Sequence, residues 1–368
     1  MKKINVAMIG VGCISDIYLK NITGLFKEIN LIGVCDLIRE RAEKAQAEYN
    51  IPKIYETMHD AFADPEVDIV LNLTRPYEHY EVTKAALLAG KHVYSEKPLG
   101  ASLAEGIELR DLAVKKGLML GGAPDTFMGA GIQTCRKLIE DGYIGTPIGS
   151  AAFMICRGHE RWHPDPDFYY QYGGGPMMDM GPYYLTAMVN LMGPIKRVMA
   201  ATRRTFPTRM ITSEPFAGTP IEVNVSTHIA GTVEYASGAI GTLFTTFDVH
   251  YPGQARFEVY GSEGTLIVPD PNTFGGPVKL YRPEEKEMRE IPLIFDYKEN
   301  SRGLGLADMA NALRDGRRAR ADYTQTFHVL EAIEGFETAG KTGTWTELKA
   351  DYTPAAPMKK AILAGILD

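Results

Sequence analysis

The chain has 368 residues, 45% of them hydrophobic and 23% charged, the profile of a globular protein long enough for two domains. Its formal net charge is -7 and no basic run exceeds a few residues, which argues against nucleic acid or an anionic membrane surface as a partner and leaves small molecules. Cys13, Cys35, Cys135 and Cys156 are widely spaced without a Cys-x-x-Cys pair, so a zinc knot or disulfide framework is not expected and all four read as free thiols.

The apolar run in MKKINVAMIGVG ends in a glycine turn, too soon for a signal or membrane helix, and a cytoplasmic protein is expected. Short apolar runs then recur at 4–9, 31–35, 69–73, 92–95 and 118–121, separated by helix formers at 39–49, 79–89 and 103–116. That alternation predicts a parallel sheet with crossover helices, and Ser102-x-x-Glu105 predicts a capping box. After a helix over 129–141 the pattern changes to longer alternating runs between tight turns, which predicts a mainly antiparallel part. Residues 234–249 read as a hairpin turning at Ser237-Gly238, and 259–268 as one turning at 262–264. A last helix over 323–341 spaces Phe327, Leu330, Ile333 and Phe336 three apart, an apolar stripe suited to docking on a sheet or on the first domain. The fold class is therefore α/β plus α+β: residues 1–122 as a dinucleotide-binding domain, residues 123–368 as a substrate-binding and oligomerisation domain.

The first strand runs into Gly10-Val-Gly12-Cys13-Ile14-Ser15, followed by a helix and a second strand ending at Asp36. Gly10 permits the tight turn, Gly12 allows a pyrophosphate to approach the backbone, and the helix start offers free amides with the positive end of its dipole. Ser15 stands where a third glycine is usual. Asp36 is placed to accept hydrogen bonds from ribose hydroxyls and to repel a 2'-phosphate, so NAD is favoured over NADP, with Arg39 and Arg41 the residues able to oppose that preference. The strand over 69–73 ends at Thr74-Arg75-Pro76, with His79 beyond it, and these can flank the cofactor at the same sheet edge; for His79 a helix cap is the equal alternative.

The strand over 92–95 ends on Glu96, Lys97 and Pro98. Ligands bind at the carboxyl edge of open parallel sheets, which makes Lys97 a candidate, although an ordinary surface lysine has the same local sequence. Farther on, GGGPMMDMGPYY carries Asp179 and Tyr183, i and i+4 if the segment is helical; a capping aspartate and a core tyrosine are the alternative. The preceding segment, 157–175, crowds His159, Glu160, Trp162 and His163 among tyrosines and reads as a substrate wall, with His163 a rival base. His159 and His163 have the spacing of a helical metal pair, but Pro164 and Pro166 oppose a helix and no metal is expected. Asp125 and Thr126, after the last strand of the first sheet, are further substrate-side candidates.

Five segments in order, GVGCIS, VDIVLNLTRPYEHYEV, AGKHVYSEKPL, GGGPMMDMGPYY and RGLGLADMANALRDGRRAR, make the chain resemble the glucose-fructose oxidoreductase, inositol dehydrogenase and rhizopine-catabolism (Gfo/Idh/MocA) family over nearly its whole length. The resemblance implies an N-terminal Rossmann domain, a C-terminal domain on a large, mostly antiparallel open sheet, an active site between them, and homo-oligomers, as dimers or tetramers. By motif position Lys97 matches the family's Glu-Lys-Pro lysine and Asp179 its glycine-rich-segment aspartate. Tyr183 falls where many members carry histidine and others tyrosine. Arg75 departs from the pattern, because proline often follows the threonine directly. The expected activity is transfer of a hydride from a secondary hydroxyl of a sugar, glycoside or cyclitol to NAD. Tyr183 is the expected proton acceptor, Lys97 the group lowering its pKa, and Asp179 the orienter. Two alternatives are tightly held NAD used for transient pyranoside oxidation or sugar-to-sugar transfer, and a non-catalytic nicotinamide-binding sensor.

Overall fold

A computed structural model describes residues 3–250, 253 and 256–359. Six parallel strands, β1 (Ile4–Ile9), β2 (Ile29–Cys35), β3 (Lys53–Ile54), β4 (Ile69–Asn72), β5 (His92–Ser95) and β6 (Leu120–Gly122), form one sheet in the order β3-β2-β1-β4-β5-β6. All four residues of β4 are buried, as are the last four of β1, because helices cover both faces and leave no solvent side for polar residues. The crossover helices are α1 (Ser15–Gly24), α2 (Arg39–Tyr49), α3 (Met58–Ala63), α4 (His79–Leu88) and α5 (Leu103–Lys116). The sequence pattern did not reveal β3 and α3. Both are too short for a period, although Thr57 and Asp60 form a reciprocal capping box at α3. The box expected at α5 is half made. Ser102 Oγ accepts from Glu105 N at 3.3 Å, but the Glu105 carboxylate takes the N–H of Ala101 at 2.7 Å.

After α6 (Ala130–Glu140) comes β7 (Pro147–Ile155), then α7 (Gly175–Asp179), α8 (Gly181–Met192) and β8 (Ile195–Arg203). A two-stranded ribbon of β9 (Thr208–Met210) and β10 (Pro220–Glu222) stands apart. The remaining strands are β11 (His228–Tyr235), β12 (Ile240–Thr246), β13 (Arg256–Gly261), β14 (Thr265–Val268), β15 (Val278–Tyr281) and β16 (Met288–Ile291), followed by α9 (Leu304–Asp315), α10 (Tyr323–Thr342) and β17 (Thr346–Glu347). The second sheet has nine strands in the order β16-β15-β14-β13-β7-β12-β11-β8-β17. Every pairing in it is antiparallel except β7 with β12. Both expected hairpins form, with Glu234 opposite Ile240 and Tyr260 opposite Thr265. The burial of β11 alternates, since helices cover one face only.

The α10 stripe of Phe327, Leu330, Ile333 and Phe336 is buried. It can lie this close because Gly231 in β11 has no side chain: a Cβ there would meet the Phe336 ring at 2.3 Å. α10 also packs on α5 and β6, and the N–H of Gly122 donates to Ala321 O at 3.0 Å, so the chain's late segment completes the edge of the first sheet. The carboxyl end of β5 thereby lies against α7, where Lys97 meets Asp179. No helix among the described residues is long and apolar enough to cross a membrane.

Candidate active site

Gly10 has φ +95°, and a Cβ there would lie 2.7 Å from Leu73 O, so the turn after β1 requires glycine. A Cβ on Gly12 would meet nothing within 4 Å, while Cys13 and Ile14 are exposed beside the start of α1. Ser15 fills the third-glycine position fully buried, its hydroxyl donating to Gly12 O at 2.7 Å. Asp36 accepts from Val11 N at 2.6 Å through one carboxylate oxygen and from Ile38 N at 2.8 Å through the other, which fixes it beside the glycine turn. An open glycine cradle, free amides at a helix start and a carboxylate at the end of β2 fit a dinucleotide. Arg39 points elsewhere, pairing with Glu43 at 2.8 Å and with Glu56.

Thr74 hydrogen-bonds Asn72 Oδ1 through its hydroxyl at 2.6 Å. Pro76 is half-buried beside it. His79 is 1% exposed, with Nδ1 2.8 Å from Pro98 O and Nε2 3.0 Å from Thr74 O. Its ring therefore joins the loops after β4 and β5 from below, and a direct contact with cofactor is corrected to a supporting one. Glu96, also buried, accepts from the Tyr18 hydroxyl at 2.7 Å and from Lys97 N at 3.0 Å.

Lys97 reaches across the cleft. Its Nζ donates to Asp179 Oδ1 at 2.6 Å and to Asp179 O at 2.7 Å, with side chains only 15% and 13% exposed. α7 ends at Asp179 and α8 restarts at Gly181, so the expected continuous i, i+4 turn is broken at Met180, and Met180, not Asp179, caps α8. The break frees the Asp179 carbonyl for the lysine. Asp179 Oδ2 faces His159 Nε2 at 2.8 Å. The carboxylate accepts, so that nitrogen carries the proton. Burial alone would raise the Asp179 carboxyl, but Lys97 and His159 hold it well below the usual carboxylate range. Burial would likewise lower Lys97, yet the Asp179 charge and the Tyr183 phenol keep it above an ordinary lysine, a permanent ammonium.

Lys97 Nζ lies 5.4 Å from the Tyr183 ring centroid. Burial, aided by the Glu96 charge, raises the Tyr183 hydroxyl above its usual value, and Lys97 and Arg302 pull it down by less. The expected lowering by Lys97 is real in direction and too small in size, because the ring is 7% exposed.

The 157–172 loop is held by a buried cluster in which Arg209 pairs with Glu160 at 2.6 Å and with Asp248, so Glu160 is structural. Around His159 pack Tyr169, Phe247 and Trp162, with ring centroids 4.2, 4.7 and 5.2 Å away. Trp162 is 61% exposed, forming the outer wall. His163 is poorly placed as the rival base: its Nδ1 accepts from Asp165 N at 3.0 Å, so the neutral ring carries its proton on Nε2 and its one basic lone pair is engaged by backbone. Asp125 is also corrected. It is 1% exposed and its Oδ2 accepts from Gly303 N at 2.9 Å and Gly305 N at 3.0 Å, capping the start of α9 instead of facing substrate. Thr126 is buried beside it.

A model of an oxidoreductase family with an NAD-binding Rossmann fold matches residues 4–122, and one of the GFO/IDH/MocA C-terminal domain matches residues 132–267. The chain belongs to the Gfo/Idh/MocA family. It is similar to D-glucoside 3-dehydrogenase of Escherichia coli (strain K12), 26% identical over 94% of this chain and 97% of that enzyme. It is 29% identical to D-xylose dehydrogenase of Paenarthrobacter nicotinovorans over 47% of this chain, a match that spans 45% of that enzyme's length. Its fold is that of a levoglucosan dehydrogenase solved with NADH and levoglucosan, with a TM-score of 0.81 at 18% identity, covering 95% of this chain and all of that one.

Within this Gfo/Idh/MocA chain, sequence reasoning missed the direct tie of His159 to Asp179. It also missed the side chain of Arg302, whose Nη2 lies 3.5 Å from the Tyr183 hydroxyl. The crowding of histidines and aromatics before the glycine run was the available signal for the first; nothing local distinguished Arg302. Arg75, the departure from the family pattern, donates to the Tyr77 hydroxyl at 2.8 Å and approaches Asp165 at 3.6 Å from the opposite side of the cleft.

Proposed function

We propose that the protein is an NAD-dependent oxidoreductase that oxidises a secondary hydroxyl of a sugar, glycoside or cyclitol, and runs the reverse reduction. The observation that carries this reading is the Lys97–Asp179 ion pair joining the segment after β5 to the end of α7. A bound nicotinamide supplies the hydride acceptor. Gly10, Gly12, Cys13, Ile14 and Asp36 would hold the dinucleotide, with Thr74, Pro76 and Glu96 shaping the edge. The engagement of Arg39 by Glu43 and Glu56 supports NAD over NADP.

An ammonium has three N–H groups, and Lys97 gives two to Asp179. The third can donate to the reacting oxygen and stabilise alkoxide charge in a cleft of low dielectric. Asp179 keeps Lys97 charged and aimed, and His159 fixes the second carboxylate oxygen. Tyr183 moves the proton. Held protonated at neutral pH, it is a donor ready for the reducing direction, while oxidation requires the smaller fraction of tyrosinate. Trp162 and Tyr169 offer aromatic faces for a sugar ring.

Self-association is part of the reading. On the side of the second sheet away from the helices, Phe153, Phe244 and Ile267 are half-buried and Ile240 is 60% exposed.

The test is a screen of sugars, glycosides and inositols for reduced-nicotinamide absorbance, with Lys97→Ala as the blank. Absence of any substrate that reduces NAD at the wild-type site, with cofactor shown to bind, would sink the enzyme reading. Cofactor that co-elutes through gel filtration and never appears free would favour the redox-relay alternative.

A further inference from the structure

Tyr183 has a second cationic neighbour that family position does not assign. Arg302 is half-buried in the segment before α9, and its Nη2 stands 3.5 Å from the Tyr183 hydroxyl, with Cζ 5.9 Å from the ring centroid. Its other cleft contacts are amide oxygens, Nη2 to Asn272 Oδ1 at 2.7 Å and Nη1 to Asn300 Oδ1 at 2.8 Å. None of these hydrogen-bond acceptors carries charge; Glu96 and Asp125 are the carboxylates that offset part of the guanidinium's field, and neither is hydrogen-bonded to it.

The backbone around it is fixed from two sides. Asn21 of α1 donates to Asn300 O at 2.9 Å and Arg302 O at 2.8 Å, while Gly303 N is held by Asp125 at 2.9 Å. The buried Asp125 carboxylate thereby acquires a function: it caps α9 and sets the segment that aims Arg302. An arginine tied at both sides costs little further ordering to hold a phenol in one orientation.

We propose that Arg302 is a positioning residue for proton transfer, holding the Tyr183 hydroxyl and stabilising the negative charge left on it when its proton departs. This rests on the reading of Tyr183 as the proton-transfer group. Other groups act on the same hydroxyl. Lys97 acts in the same sense as Arg302, and Glu96, from the end of β5, acts against both. Tyr94 of β5 and Tyr169 of the 157–172 loop are phenols that remain protonated, both raised by burial. Asp179 is screened by its own pairing with Lys97 and His159.

The experiment compares Arg302→Gln and Arg302→Lys by two readouts. The first is tyrosinate absorbance titration, each variant measured against the same protein carrying Tyr183→Phe, so that the difference reports Tyr183 alone. The second is the pH profile of oxidation. Arg302→Gln is expected to move the Tyr183 ionisation up by about one pH unit or more, a tenfold loss of tyrosinate at fixed pH, and to move the profile with it. Arg302→Lys should restore most of both, with KM for the sugar within about threefold. A titration unmoved by Arg302→Gln, or a raised KM with kcat unchanged, overturns the inference, the latter assigning Arg302 to substrate binding. Full turnover by Tyr183→Phe with the titration shift intact overturns instead the reading on which it rests.

Discussion

Asp179→Asn removes one charge from a pair whose partners are 15% and 13% exposed and 2.6 Å apart. The asparagine keeps an acceptor for Lys97 but leaves its buried ammonium with only Glu96 as a counter-charge, and breaking a buried pair from one side costs about 3–5 kcal/mol. The retained acceptor argues for the lower end, about 3 kcal/mol. Asp179 is depressed in the fold, so its contribution is full above the unfolded carboxylate value and is lost as pH falls through the folded one. Lys97 is raised, so its contribution is full below the unfolded lysine value and is lost as pH rises through the folded one. Between about pH 4 and 10 the pair is at full strength, which makes neutral pH the condition for the measurement. Urea unfolding of wild type, Asp179→Asn, Lys97→Met and the double variant gives the coupling. The double variant should lose at least about 2 kcal/mol less than the sum of the singles, because no uncompensated charge remains. An Asp179→Asn protein within about 1 kcal/mol of wild type, or simple additivity, would refute the claim that the two charges depend on each other.

Oxidation should speed up about tenfold per pH unit from neutrality toward pH 10, because a buried phenol raised above its usual value supplies little tyrosinate below it; Tyr183→Phe should flatten that rise, and a steep profile in the variant counts against the tyrosine. Cys13 is the exposed cysteine of the four and lies on the glycine turn, so NAD should slow its alkylation while leaving Cys35 and Cys135, both buried, unreactive throughout; unprotected Cys13 would move the cofactor elsewhere. Asp36→Ala should weaken NAD binding tenfold or more, as expected for lost charge-assisted bonds of about 1.5–3 kcal/mol, and NADP should gain little because Arg39 is engaged by Glu43 and Glu56; calorimetry with both cofactors checks this. Light scattering should report an assembly larger than one chain, and a charge placed at Ile240 should dissociate it; an unaffected assembly would redirect attention to another face.

The first sheet was legible because its code is local. A strand buried on both faces must be a continuous apolar run, and its spacing from the next such run leaves room only for a crossover helix, so β1, β4 and β5 were found within a residue of their ends. The glycine turn was equally local, since a left-handed φ at Gly10 and close backbone approach are properties of the residue itself. By itself the sequence also determined that Lys97 follows a strand and that Asp179 and Tyr183 follow a glycine run, and five motifs in order pointed to the family. Tertiary structure decided what those residues do to one another. Only the fold breaks the helix at Met180 so that Lys97 takes both the carboxylate and the carbonyl of Asp179, and only it brings His159 and Arg302 to the same point. It also removed Asp125 and His163 from the reactive set, through hydrogen bonds to backbone that no local pattern encodes. The ionisation of the Tyr183 phenol depends on burial and Glu96 against two cations, a balance set by which side chains surround it and not by its neighbours in the chain.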